Sequence, residues 1–72
     1  MTLTVEFDRE EDGRWIAAVE TIPGCYVYGA TREEALKKVE ALALRAVAEQ
    51  LEDGEVTAEE ATTVSFVVSA AA

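Results

Sequence analysis

Histidine is absent from this 72-residue sequence, and cysteine occurs once, at Cys25. The first absence removes the commonest general base near neutral pH and the commonest zinc ligand. The second excludes a disulfide within the chain, and a lone thiol fits a reducing compartment. Cations are scarce too: six basic residues against fifteen acidic ones leave a net charge of −9. Such a chain repels a polyphosphate instead of releasing its counterions, which disfavours direct nucleic-acid binding. No apolar run nears the ~18 residues of a membrane span. The start, Met1-Thr2-Leu3-Thr4-Val5-Glu6-Phe7, lacks the basic and apolar regions of a secretory signal. The expectation is a cytoplasmic protein with no membrane association.

What is present suffices for a single domain, residues 1–72. A domain of this size buries only roughly 60% of the surface that its unfolded chain exposes. Half of the residues are apolar, but many are alanines, so the few large side chains must gather in one layer. A partner or a second copy is the remaining way to add buried surface.

Residues 2–8 alternate, with Leu3, Val5 and Phe7 on one side and Thr4, Glu6 and Asp8 on the other, the period of a half-buried strand. Arg9 to Gly13 is a charged turn with a glycine suited to positive φ, which predicts a hairpin. The second strand, over 14–20, is apolar on both sides: Trp15, Ala17 and Val19 against Ile16 and Ala18. Two readings stay open there. Either a second chain covers the side that the helix does not, or the alanines tolerate exposure and Ile16 alone is anomalous.

Thr21-Ile22-Pro23-Gly24 breaks the strand as a type II corner. A third strand follows over 25–28, with Tyr26 and Tyr28 on one side and Cys25 and Val27 on the other, and Gly29-Ala30 turns the chain toward a helix. Thr31 and Glu34 have the spacing of a capping box. Glu33 and Glu34 at the start, with Lys37, Lys38 and Arg45 later, suit the helix macrodipole. Ala35, Leu36, Val39, Leu42, Ala43, Ala46, Val47 and Leu51 form the core-facing stripe, and the helix stops at Asp53-Gly54 with Gly54 as its cap. Residues 55–61 read as an acidic connector with a brief helical turn at Ala58-Glu59-Glu60. Residues 62–69 alternate as a fourth strand, with Val64, Phe66 and Val68 on one side, and 70–72 form a tail.

The resulting fold class is α+β, in the order β-β-β-α-β. One mostly antiparallel four-stranded sheet carries the helix on one face. A right-handed crossover returns the last strand beside the first, in parallel, and gives the order 3-2-1-4.

The run from Asp12 to Ala35 combines Gly13, an aromatic strand ending near Val19, Ile22-Pro23-Gly24-Cys25 and Gly29-x-Thr31-x-Glu33-Glu34-Ala35. It resembles the core signature of HicB-type antitoxins, and the resemblance reaches from about Met1 to Gly54. It implies a partial ribonuclease-H-like arrangement. It also implies a partner of the HicA type, a small basic toxin that cleaves messenger RNA and is blocked when the antitoxin covers its active site. The acidity of the chain fits that role. Many full-length members continue into a ribbon-helix-helix or helix-turn-helix domain that binds operator DNA, whereas this sequence ends at the fourth strand, so the resemblance does not carry over autorepression through DNA; the charge balance disfavours direct nucleic-acid contact. The alternative is a stand-alone structural or regulatory homo-oligomer without a toxin partner.

Chemistry is harder to assemble. Ribonuclease-H-like nucleases hold two metal ions with carboxylates from the first strand, a helix and the fourth strand. Glu6 or Asp8 and Glu33, Glu34 or Glu40 are available, but Thr62-Thr63-Val64-Ser65-Phe66-Val67-Val68 contains no acid, so the two-metal clamp lacks a member. Cys25 has no histidine to activate it and reads as a packed thiol. No phosphate-binding glycine loop occurs. The expectation is therefore a protein that is not an enzyme, with no catalytic residue, metal or cofactor. Trp15, Ile16, Tyr26 and Tyr28 remain as candidates for a protein interface, because aromatic anchors concentrate there. For Trp15 core packing competes with that role.

Overall fold

The alternation of the first strand is realised residue by residue. In the computed structural model, which describes residues 1–69, Leu3, Val5 and Phe7 of β1 (Thr2–Arg9) are buried, while Thr2, Thr4, Glu6 and Asp8 are exposed. β2 (Trp15–Ala18) pairs with β1 antiparallel, β3 (Tyr26–Gly29) pairs with β2 antiparallel, and β4 (Ser65–Val68) runs parallel to β1. The sheet is thus mixed, with the order β3-β2-β1-β4 that the sequence implies. The second and fourth strands are shorter than expected. β2 stops at Ala18 because the backbone bends through Val19, whose N–H donates to the Cys25 carbonyl, and Ile22, whose N–H donates back to Val19. The expected tail, 70–72, lies outside the described residues.

α1 (Arg32–Glu52) crosses one face of the sheet and lies chiefly over β2 and β3. Its buried side chains, Ala35, Val39, Ala43 and Val47, recur every four residues and meet Val5, Ala17, Val19, Ile22 and Cys25 in one apolar core. Two of the four are alanines, so helix and sheet approach closely. A Cβ built on Gly29 would lie 2.6 Å from the Ala35 nitrogen and 3.0 Å from its Cα. Gly29 is therefore required by contact with the helix backbone, a packing reason that its place before the helix does not reveal. Leu51, expected in the core stripe, is instead among the exposed large apolar residues: four-residue steps overshoot the 3.6-residue turn, so the row Ala35-Val39-Ala43-Val47 carried one step further turns away from the sheet.

Both ends of α1 differ in detail from the sequence pattern. The Thr31 hydroxyl accepts from the Glu34 N–H at 3.1 Å, but the Glu34 carboxylate reaches the N–H of Ala30, at 3.0 Å, and not that of Thr31. At the other end Asp53 is the cap and Gly54 follows it with φ +80°. The Glu55 N–H donates to the Gln50 carbonyl and the Gly54 N–H to that of Leu51, the paired bonds of a Schellman motif. No basic residue stands in the last turn, so the favourable charge order of the first half does not continue to the end. The reciprocal capping box occurs at Thr57 and Glu60, starting the four-residue α2 (Ala58–Ala61). Its Thr-x-x-Glu spacing was present in the sequence.

Candidate functional site

With α1 on one side, no element among the described residues lies on the opposite side of the sheet. Pairing register decides which residues emerge there. Opposed residues share a face, so Asp8, Ile16 and Tyr28 form one row across β1, β2 and β3, and Glu6, Ala18 and Tyr26 form the next. Thr4 and Val67 extend the surface across β1 and β4. Three of the four sequence candidates, Ile16, Tyr26 and Tyr28, are thus brought together.

Tyr26 and Tyr28 are 57% and 39% exposed and meet edge to face, with ring centroids 6.4 Å apart. The Arg14 guanidinium lies 4.5 Å from the centre of the Tyr28 ring and is also held by Asp12, whose Oδ2 accepts from Arg14 Nε at 2.8 Å. These contacts line the two tyrosines up as an exposed aromatic ridge. Beside the ridge lies a shallow depression of about 390 Å³ bounded by Ile16, Ala18, Glu6, Asp8 and Glu20. Glu6 lies beside Glu20, and hydrogen bonding through a proton held between the two carboxyls, together with the repulsion between them when both are ionised, raises its pKa above the ordinary 4.5. The face is therefore apolar at the β3 edge and acidic toward its centre.

Trp15 belongs to the other side. Its ring packs edge to face on Phe7, at 6.2 Å and 87°, and is covered by Arg9 at 4.8 Å, while Arg32 stacks on Phe7 at 4.3 Å. It closes one end of the core beneath the helix side and is partly buried. Glu20, Arg14 and Val67 were not singled out as site residues by sequence reasoning, and Glu6 was weighed only as a metal ligand. The signal for Val67 was its opposite phase to Phe66 and Val68; for Glu20 there was none, since its approach to Glu6 depends on the β1–β2 pairing.

The acids considered for metal binding are divided by the sheet. Glu6 and Asp8 face away from α1, which carries Glu33, Glu34 and Glu40. Among the described residues no group of three or more His, Cys, Asp or Glu side chains is arranged to hold a metal ion. Cys25 is buried, and burial pushes its thiol pKa upward. Among the described residues no helix is long and apolar enough to cross a membrane.

Against known proteins, the chain is 39% identical over 51 residues to a UPF0150 protein of Thermoplasma acidophilum, an alignment covering 71% of this chain and 72% of the relative. The chain belongs to the UPF0150 family. No protein-family model matches it, and no solved structure matches it. The 51 aligned residues amount to most of this UPF0150 chain, and its uncovered sheet face displays apolar and acidic side chains side by side.

Proposed function

We propose that this UPF0150 protein is a non-catalytic protein-binding domain of the HicB type, one that neutralises a small basic RNA-cleaving toxin by covering its active site in the cytoplasm. The observation that carries the reading is the uncovered sheet face, where Ile16, Tyr26 and Tyr28 stand beside Glu6, Asp8 and Glu20. Tyrosines on a rigid sheet supply contact area at low entropic cost. The carboxylates, in a chain of net charge −9, attract a basic partner and steer its approach. Neither a cofactor nor a metal enters this role, and Cys25 serves as a core residue.

Co-expression with a small basic protein encoded beside this chain tests the proposal. The expected outcome is a stable heterocomplex on size exclusion in which RNA cleavage by the basic protein is suppressed. Failure to associate with any such neighbour contradicts it.

A second reading, a homo-oligomer, draws on the other edge of the sheet. β4 is Ser65-Phe66-Val67-Val68 without a charge, and Val67 and Val68 are 50% and 37% exposed. Natural edge strands are usually blunted by charge, proline or a bulge, so this one is suited to pairing with a second copy. Sedimentation as a strict monomer at micromolar concentration contradicts that reading.

A further inference from the structure

The helix side carries a second surface of opposite character. A groove of about 540 Å³ runs between α1 and the β3 edge, floored by Val27, Ala41 and Leu42 and rimmed by Lys37, Lys38 and Arg45. Half of the six basic residues of an acidic chain thus stand around one apolar trough. The other three are engaged on rings: Arg9 on Trp15, Arg14 on Tyr28 and Arg32 on Phe7. Lys38 is also committed, its Nζ donating to the Glu34 carboxylate and to the Tyr28 carbonyl, each at 3.3 Å. Among the described residues Lys37 and Arg45 form no ion pair, although fifteen acidic residues are present in the chain.

We propose that this groove binds an extended acidic peptide segment of a partner protein, with a carboxylate at each end and an apolar side chain between them. Helix geometry sets the spacing. Lys37 and Arg45 are eight positions apart, about 12 Å along the axis at 1.5 Å per residue. An extended strand covers that distance in about four residues at roughly 3.3 Å each, and side chains two apart point the same way. The matching ligand is Glu-x-Φ-x-Glu, Φ being Val, Ile or Leu, whose central side chain meets Val27 and Leu42 while its two acids meet Lys37 and Arg45. A polyphosphate is the poorer occupant, since it offers no apolar group to the floor of Val27, Ala41 and Leu42. The groove lies on the opposite side of the sheet from Tyr26 and Ile16, so its occupant is distinct from the basic partner proposed above.

The test uses the full chain and a synthetic peptide, Gly-Glu-Thr-Val-Thr-Glu-Gly, titrated in low salt and followed by amide chemical shifts. Shifts are expected at Val27, Ala41 and Leu42, with affinity falling by about 2- to 30-fold in Lys37→Glu/Arg45→Glu, the range that two exposed ion pairs supply. Both substitutions are on the surface, and an unchanged circular dichroism spectrum shows that the variant is folded. Absence of binding at millimolar peptide, shifts confined to the tyrosine face, equal affinity in the folded double variant, or displacement of the peptide by an equal concentration of oligonucleotide overturns the proposal.

Discussion

Ile16 on β2 stands directly opposite Tyr28 on β3, and both side chains leave the sheet on the side away from α1. Neither contributes to the buried core. Cross-strand pairs of this kind add about 0.2–1 kcal/mol each, so replacing Tyr26 and Tyr28 together with serine is expected to cost folding no more than about 2 kcal/mol by the same scale. Urea denaturation of the double variant checks this. A greater loss means that the tyrosines hold the fold together and do not serve chiefly as a display.

Gly29→Ala is a sharper insult despite adding one methyl group. The new Cβ would meet the Ala35 backbone at 2.6 Å, and backbone cannot step aside as a flexible side chain does. Overpacking of this sort costs about 1–3 kcal/mol, which in a domain of 60–100 residues lowers Tm by about 4–8 °C per kcal/mol. A thermal melt unchanged from the wild type contradicts the close approach of β3 and α1.

The Glu6–Glu20 pair predicts a pH-dependent gain of stability on substitution. A carboxyl whose pKa is raised in the fold holds its proton more tightly folded than unfolded. Its stabilising contribution is therefore present at low pH and disappears as pH rises through the raised value. Glu6→Gln removes the repulsion, so the variant should be more stable than the wild type at pH 7, and the difference should close as pH falls below the ordinary 4.5. Asp12, Glu34 and Glu60 have the opposite sign. The Arg14 N–H lowers Asp12, the Ala30 N–H lowers Glu34 and the Thr57 N–H lowers Glu60, so what they contribute is present above their ordinary values and fades as pH drops through the lowered ones. Denaturation curves across this range for wild type and Glu6→Gln separate the two effects.

The last turn of α1 carries Glu49 and Glu52 and no basic residue, against the preference of the negative helix end for cations. Glu52→Lys is exposed and reverses that charge. Stability should rise by about 0.3–1 kcal/mol at low ionic strength and the gain should shrink in salt, as chemical denaturation at two salt concentrations will show.

The strand order, the side of β1 that is buried and the body of the helix were legible because two periods, two and 3.6, are written clearly in Leu3-Val5-Phe7 and Ala35-Val39-Ala43-Val47. The grouping of Ile16 with Tyr26 and Tyr28 followed from alternation once the pairing register was known. What could not be read were contacts between residues far apart in the chain. Gly29 looks like a turn residue until Ala35 is laid against it. Glu20 has no pattern, and its meeting with Glu6 depends on how β1 and β2 align. Trp15 shares an adjacent position with Ile16 yet faces the opposite way, and its packing on Phe7 needs the hairpin closed. The brief helical turn expected at Ala58-Glu59-Glu60 is realised as α2, but the Thr57–Glu60 box that starts it was not picked out of that short acidic stretch.

The central claim is that the tyrosine face receives a basic protein. Calorimetric titration of the small basic protein encoded beside this chain, against wild type and Tyr26→Ser/Tyr28→Ser, tests it most directly. Tight binding to the wild type is expected, with a loss of at least about 30-fold in the folded double variant, the size of a single hot-spot deletion. Equal affinity for the two proteins, or no binding to either, contradicts it.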